Sequence, residues 1–153
     1  ELEKIDENNY CNNPIVDSVL RIKFGVAKSD KIKVDTTIRI PKQMQLEHGD
    51  IGVLYGNLLD NAIEACRKVE EDRRFIRIEN KFTEGKLLLI VENSKTGERN
   101  ESLKTTKKDN YSHGRGIHSV RKVVEKYNGT VTFTDKGEIF EVSAMLYGIE
   151  AKE

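Results

Sequence analysis

The 153-residue sequence predicts an α+β domain, a two-layer α/β sandwich in which a mixed sheet carries about three helices on one face. Three observations lead there. Segments with an apolar period near 3.6 residues are interleaved with segments that alternate every second residue. The alternating segments in the second half come in pairs joined by short Gly turns. The resulting order is helix, strand, helix, two strands, loop, helix, two strands, with no internal repeat.

Residues 1–13 are polar and Asn-rich, and read as a linker or as the frayed end of an upstream element. The domain itself is expected over 14–153. From Pro14 the series Ile15, Val19, Ile22, Val26 recurs at helical spacing, with Asn13 as cap and Pro14 in the first turn. The stretch 31–40 alternates through Ile32, Val34, Thr36, Ile38 and Ile40, a strand that Pro41 ends. A second helix is expected over about 50–69, then strands over 75–82 and 86–93 around the turn Glu84-Gly85. A third helix over about 116–127 puts Ile117, Val120, Val124 and Tyr127 on one face and ends at Asn128-Gly129. Two strands, 130–134 and 138–146, turn at Lys136-Gly137. Between them and the first hairpin lies 94–112, rich in Lys, Thr, Asn and Gly, a long polar loop of the kind that often serves function.

Composition excludes some classes. Lys plus Arg equals Asp plus Glu, 26 each, so nothing favours nucleic acid as a main partner. Two cysteines make neither a disulfide framework nor a metal site, and Cys66 reads as a small buried hydrophobe. The longest apolar run, Leu87-Leu88-Leu89-Ile90-Val91, is far short of a membrane span.

On a helical wheel the second helix has Ile51, Leu54, Leu58, Ala62, Ala65 and Val69 as its core stripe, with Asp60, Arg67 and Glu71 facing solvent. Asn57 and Asn61, four residues apart, stack on one face at the edge of that stripe, with Glu64 beside them. Asn is a poor residue for a helix interior. A solvated amide or a helix-bending hydrogen bond is the plainer reading of such a pair; an oxygen held out for a hard cation such as Mg²⁺ is the functional one. The second cluster is His113-Gly114-Arg115-Gly116, where the polar loop meets the third helix. Glycines there permit close backbone approach, and a helix N-terminus offers N–H groups to phosphate. A flexible hinge is the plainer reading. The cluster is neither a Walker loop nor a dinucleotide fingerprint.

Taken together the two clusters resemble the GHKL superfamily and, within it, the ATP-binding catalytic domain of sensor histidine kinases, with its Bergerat fold. Asn57-Leu58-Leu59-Asp60-Asn61-Ala62-Ile63-Glu64-Ala65 resembles the N box, and 112–129 the second glycine box with its helix. The similarity spans roughly 14–146 and is nearest to the peptide-responsive, quorum-sensing kinases. The resemblance implies ATP as substrate and Mg²⁺ as cofactor. It implies Asn61 as the Mg²⁺ ligand and Asn57 as the catalytic position beside the phosphates and their water network. Gly114 and Gly116, with His113 and Arg115, would cradle the phosphate tail. The loop 94–112 would be the ATP lid, carrying Lys104, Lys107 and Lys108, with Lys107 toward the nucleotide, or else a solvated loop. The implied partners are the protein's own dimerisation domain bearing the acceptor histidine, a response regulator, and a second copy in a full-length homodimer. The implied place is a cytoplasmic domain of a membrane-anchored sensor.

Two positions depart from the family pattern. The first glycine box, Asp-x-Gly-x-Gly, is here Asn93-Ser94-Lys95-Thr96-Gly97, so Asn93 takes the place of the base-reading Asp and only Gly97 remains of the glycines. An amide can still accept from the adenine amino group. Glu64 stands where many such kinases have Lys. None of His48, His113 and His118 lies on a long helix before an acidic residue, so the phospho-acceptor lies on another domain. Two other functions share these features: a protein-docking or phosphotransfer module with weak or no ATP binding, and an anti-sigma-type serine kinase.

Overall fold

The computed structural model describes residues 9–97 and 114–152. Its elements in order are α1 (Pro14–Ser29), β1 (Lys33–Arg39), β2 (Gln43–Met44), α2 (His48–Ile51), a π-helical turn (Gly52–Gly56), α3 (Asn57–Cys66), β3 (Phe75–Thr83), β4 (Lys86–Ser94), α4 (Gly114–Lys126), β5 (Thr130–Asp135), β6 (Ile139–Leu146) and β7 (Ala151–Lys152). Five strands form one sheet in the order β1-β3-β4-β6-β5, with β1 and β3 parallel and the other pairs antiparallel. The pair β2 and β7 forms a separate two-stranded sheet that the sequence reading did not anticipate. The helices share one face of the main sheet: α1 contacts β1, α3 contacts β3 and β4, and α4 contacts β5 and β6. This is the mixed α+β sandwich that the apolar periods predict.

Asn13 caps α1 by accepting from the N–H groups of Ile15 and Val16, both at 3.2 Å, and Pro14 sits in the first turn. The buried side of α1 is Val16, Leu20, Phe24 and Ala27. It is not the expected series, of which Ile22 is 63% and Val26 40% exposed. The two series are shifted by one to two residues, about 100° or more around a helix, so period alone does not choose between them. Residues 9–13, read from the sequence as linker, are drawn into the fold. Cys11 is buried, the Tyr10 ring meets Phe24 edge-on at 4.9 Å, and the N–H groups of Tyr10 and Cys11 donate to Asp17.

The second predicted helix is the run α2, π turn and α3, beginning at His48 and ending at Cys66, earlier than the expected end near 69. Its buried set is broader than one stripe: Ile51, Leu54, Tyr55, Leu58, Leu59, Ala62, Ile63 and Cys66. Ala65 is only half-buried, and Val69 is buried but lies past the helix end. The stripe widens because this helix has the sheet beneath it and a helix on either flank. Within the π turn Tyr55 is fully buried, and its hydroxyl donates to Asn80 Oδ1 at 2.9 Å. Asn80 in turn donates to the Leu88 carbonyl at 2.9 Å, so this buried polar pair is satisfied.

The helix α4 ends in a Schellman arrangement. Gly129 N–H donates to Val124 O and Asn128 N–H to Glu125 O, with Asn128 itself left-handed at φ 58°. The glycine next to it answers a different need. A Cβ on Gly129 would lie 2.0 Å from the Met145 carbonyl oxygen, where β5 begins against β6. The far end of α4 is also tied to the start of α2. Lys126 Nζ reaches Glu47 at 3.0 Å and Asp50 at 2.8 Å, and Tyr127 OH donates to Asp50 at 2.6 Å while accepting from Glu47 N–H.

Two outcomes follow from these contacts. Gly129→Ala forces a backbone shift and should cost about 2 kcal/mol, a fall in Tm of roughly 4–8 °C for a chain of this size. An unchanged melting curve would show that the β5–β6 approach is not tight. Burial pulls the Asp50 carboxyl upward, but the hydrogen bonds from Lys126 and Tyr127 outweigh it and hold its pKa below the ordinary value. A depressed folded-state pKa means that this tie contributes fully above about pH 4, the unfolded value, and is lost as pH falls through the lower folded value. Tyr127→Phe should therefore lower Tm at pH 7 and narrow its gap to the parent in acid, as followed by circular dichroism.

Candidate functional site

The first residue of α3 and the first turn of α4 meet. Asn57 Nδ2 donates to the Gly116 carbonyl at 3.4 Å, across 59 residues of sequence. That bond leaves Asn57 Oδ1 for another group. Gly116 lies inside α4, not in the loop before it, because the helix starts at Gly114. A Cβ on Gly116 would come 3.8 Å from Asn57, an ordinary contact, so its hydrogen leaves room without being sterically required. The N–H groups of the first turn of α4 have no partner within the helix, and they carry the positive end of its dipole. One turn along α3 from Asn57 stands Asn61, half-buried, with no hydrogen-bond partner among the described residues. The helix spacing therefore puts Asn61 one turn beyond the contact that joins Asn57 to the first turn of α4.

The other wall is the end of β4. Asn93 is buried, and its Nδ2 donates to the Ser94 carbonyl at 2.9 Å. The flipped amide would set two carbonyl oxygens against each other, so the oxygen is the end left to accept. Strand register sets Ile76, Asn93, Phe140 and Asp135 in one row across β3, β4, β6 and β5. Beside the row, Cys66 of α3 reaches the Phe75 carbonyl at 3.3 Å and lies 3.5 Å from Ser94 Oγ, which accepts from Phe75 N–H at 3.0 Å. These contacts hold the end of α3 over the end of β4. Burial raises the Cys66 thiol pKa, with the Ser94 hydrogen bond opposing in part, so Cys66 is packing and not a nucleophile.

Beyond Asn93 the chain does not swing free. Lys95 N–H donates to the Glu138 carbonyl at 3.0 Å, and Lys95 Nζ lies 3.3 Å from Asp135 and 2.9 Å from Gly137 O. A Cβ on Gly97 would stand 3.6 Å from the Glu138 side chain. Ser94–Gly97, expected as the first part of the lid, thus belong to the strand end and its tie to the β5–β6 turn. Lys104, Lys107, Lys108 and His113 lie outside the described residues, as does the rest of 98–112. Gly114 opens α4, while the Arg115 side chain is likewise outside the description.

Sequence reasoning did not single out Phe140, Ser94, Asp135 or the role of Lys95. Only Lys95 carried a signal, as a lysine where the resembled box has glycine. Among the described residues no group of three or more His, Cys, Asp and Glu could hold a metal by itself. Burial likewise pushes the Cys11 thiol up, to about 11. Both thiols should therefore resist a chromogenic disulfide reagent at pH 8 in the native protein and react at once in denaturant. Fast native reaction of either would contradict their packing.

The GHKL domain family matches residues 46–147, well over half of the chain. No curated protein matches it. Among solved structures it is similar to the nucleotide-free catalytic domain of histidine kinase ThkA, with 16% identity and a TM-score of 0.72 over 94% of this chain and 97% of that one. The mycobacterial sensor histidine kinase MprB gives 16% identity and a TM-score of 0.66 over 88% and 93% of the two chains. Full-length ShkA in complex with AMPPNP gives 12% identity and a TM-score of 0.71 over 99% of this chain but 33% of ShkA. Identities this low speak for the fold alone; the family match speaks for descent. The chain belongs to the GHKL family and has the fold of histidine kinase catalytic domains.

Proposed function

We propose that this domain binds Mg-ATP between α3 and α4 and transfers the γ-phosphate to a histidine on a separate dimerisation domain. The observation that carries this reading is the contact between Asn57 and Gly116. It joins the two clusters that the sequence separates, and it supports a phosphate tail lying between the α3 amides and the first turn of α4.

In this reading Asn93 accepts from the adenine amino group, and the first turn of α4 at Gly114 and Gly116 takes the phosphates. Asn61 ligates Mg²⁺ through its amide oxygen, and Asn57 is the catalytic residue that touches the phosphates and their water. Its free amide supports the role of Asn61. A metal held by one protein oxygen would arrive with the nucleotide and complete its shell from phosphate and water. When bound, Mg²⁺ neutralises charge on the phosphate oxygens. The reaction breaks the bond between the γ-phosphorus and the β–γ bridging oxygen, forms a phosphorus–nitrogen bond to imidazole, releases ADP, and gives the imidazole proton to solvent. The domain's part is positioning and charge neutralisation, since imidazole is already nucleophilic.

Residues 14–153 would form this catalytic domain, with 94–112 and its Lys107 as a lid over it, and His113 and Arg115 would join Gly114 and Gly116 at the phosphates. The partners would be the protein's own dimerisation domain, a response regulator and a second full-length copy. The setting would be the cytoplasmic side of a membrane-anchored sensor of the quorum-sensing type; no described helix is long and apolar enough to cross a membrane. Calorimetric titration with a non-hydrolysable ATP analogue is the test. Asn61→Ala should weaken binding at least about tenfold with Mg²⁺ present and leave Tm nearly unchanged, because the side chain makes no hydrogen bond among the described residues. Equal affinity of parent and variant would remove Asn61 from the site. A parent that binds no nucleotide would favour the docking module, and an acid-stable phosphoprotein product would favour a serine kinase.

A further inference from the structure

Lys95 occupies the first glycine position of the box that Asn93 opens, and its environment is unusual for a loop lysine. The side chain is 14% exposed and that of its partner Asp135 is 8% exposed. Its ammonium donates to Thr96 O and Gly137 O, both at 2.9 Å, and lies 3.3 Å from Asp135 Oδ1. Asp135 is itself fixed, since Oδ1 also accepts from Gly137 N–H at 2.9 Å. The backbone N–H of Lys95 donates to Glu138 O. Residue 95 is thus clamped at both ends to the β5–β6 turn.

The location gives the clamp its meaning. Asp135 and Asn93 lie in the same cross-strand row on one face of the sheet, separated by Phe140 on β6. The chain leaves Asn93 through Ser94, whose carbonyl orients the Asn93 amide, and enters Lys95 at the next residue. Any motion of residue 95 is therefore passed to the carbonyl that aims Asn93. Glycines in such a box let the backbone lie close to a ligand. A lysine has lost that freedom, but its buried contacts with Thr96 O, Gly137 O and Asp135 fix the same strand end by another route.

We infer that Lys95 is a positioning residue for base recognition, locking the Asn93–Gly97 segment to the β5–β6 turn through Asp135 so that Asn93 presents its oxygen to the nucleotide base. This rests on the nucleotide reading above. Neutralising either charge removes the attraction between them inside a largely buried contact, so the lock should weaken.

Amide hydrogen exchange in the ligand-free protein and ADP titration with Mg²⁺ test it together, on Lys95→Met, Lys95→Arg and Asp135→Asn. Lys95→Met should speed exchange at 94–97 at least about tenfold and raise the ADP Kd about tenfold, with exchange in α1 unchanged. Asp135→Asn should do the same more weakly, and it serves if Lys95→Met does not fold. Lys95→Arg should restore most of both. Unchanged exchange at 94–97 would overturn the lock. Faster exchange with unchanged ADP affinity would overturn its role in base recognition. A parent protein that binds no ADP would overturn the nucleotide reading, and the positioning role with it.

Discussion

The gap in which the candidate site lies exists because two helices are tied together at a distance from it. Asp50, at the start of the helical run 48–66, holds Lys126 and Tyr127 at the end of α4. Val120 and Val124 are buried along the same helix. With its C-terminal end pinned there, α4 carries Gly116 about 15 Å back, at 1.5 Å per residue. That brings Gly116 to Asn57. The opposite wall is set by a different contact, Cys66 against Ser94 and Phe75, which keeps α3 over the end of β4. The sheet supplies the floor, but these side-chain ties decide which polar groups face each other.

The chemistry of the gap is that of amides rather than of charges. Asn57, Asn61 and Asn93 present oxygens without a formal charge, and Glu64 stands where the resembled kinases have lysine. Neutral acceptors cost less to desolvate than carboxylates and hold their aim only if their own donors are engaged. Asn57 and Asn93 meet that condition through Gly116 O and Ser94 O. Asn61 does not, which suits a group whose partner arrives with the ligand.

Much of this was legible from residue order. The strand pairs around Glu84-Gly85 and Lys136-Gly137 and the cap at Asn13 rest on local turn and capping chemistry, which sequence displays directly. The stacking of Asn57 and Asn61 is a matter of helical spacing. What sequence did not display was decided between distant elements. Two apolar series compete on α1, and packing around Phe24 chose the one without Ile22. Tyr10 and Cys11 look like a linker until Asp17 and Phe24 receive them. The pair Asn128-Gly129 reads as a left-handed cap, which Asn128 supplies, but sequence did not show that Gly129 is needed for its nearness to Met145. The clamp of Lys95 joins residues 40 apart in sequence, and only strand register brings them together.

The most direct measurement of the central claim is amide chemical-shift mapping of the ¹⁵N-labelled domain during titration with Mg-ADP. Saturable shifts should appear at Asn57, Asn61, Asn93, Gly97 and Gly116, while Thr132 and Lys81, on strands away from the gap, stay still. Shifts confined to other surfaces, or none at saturating nucleotide, would contradict the account.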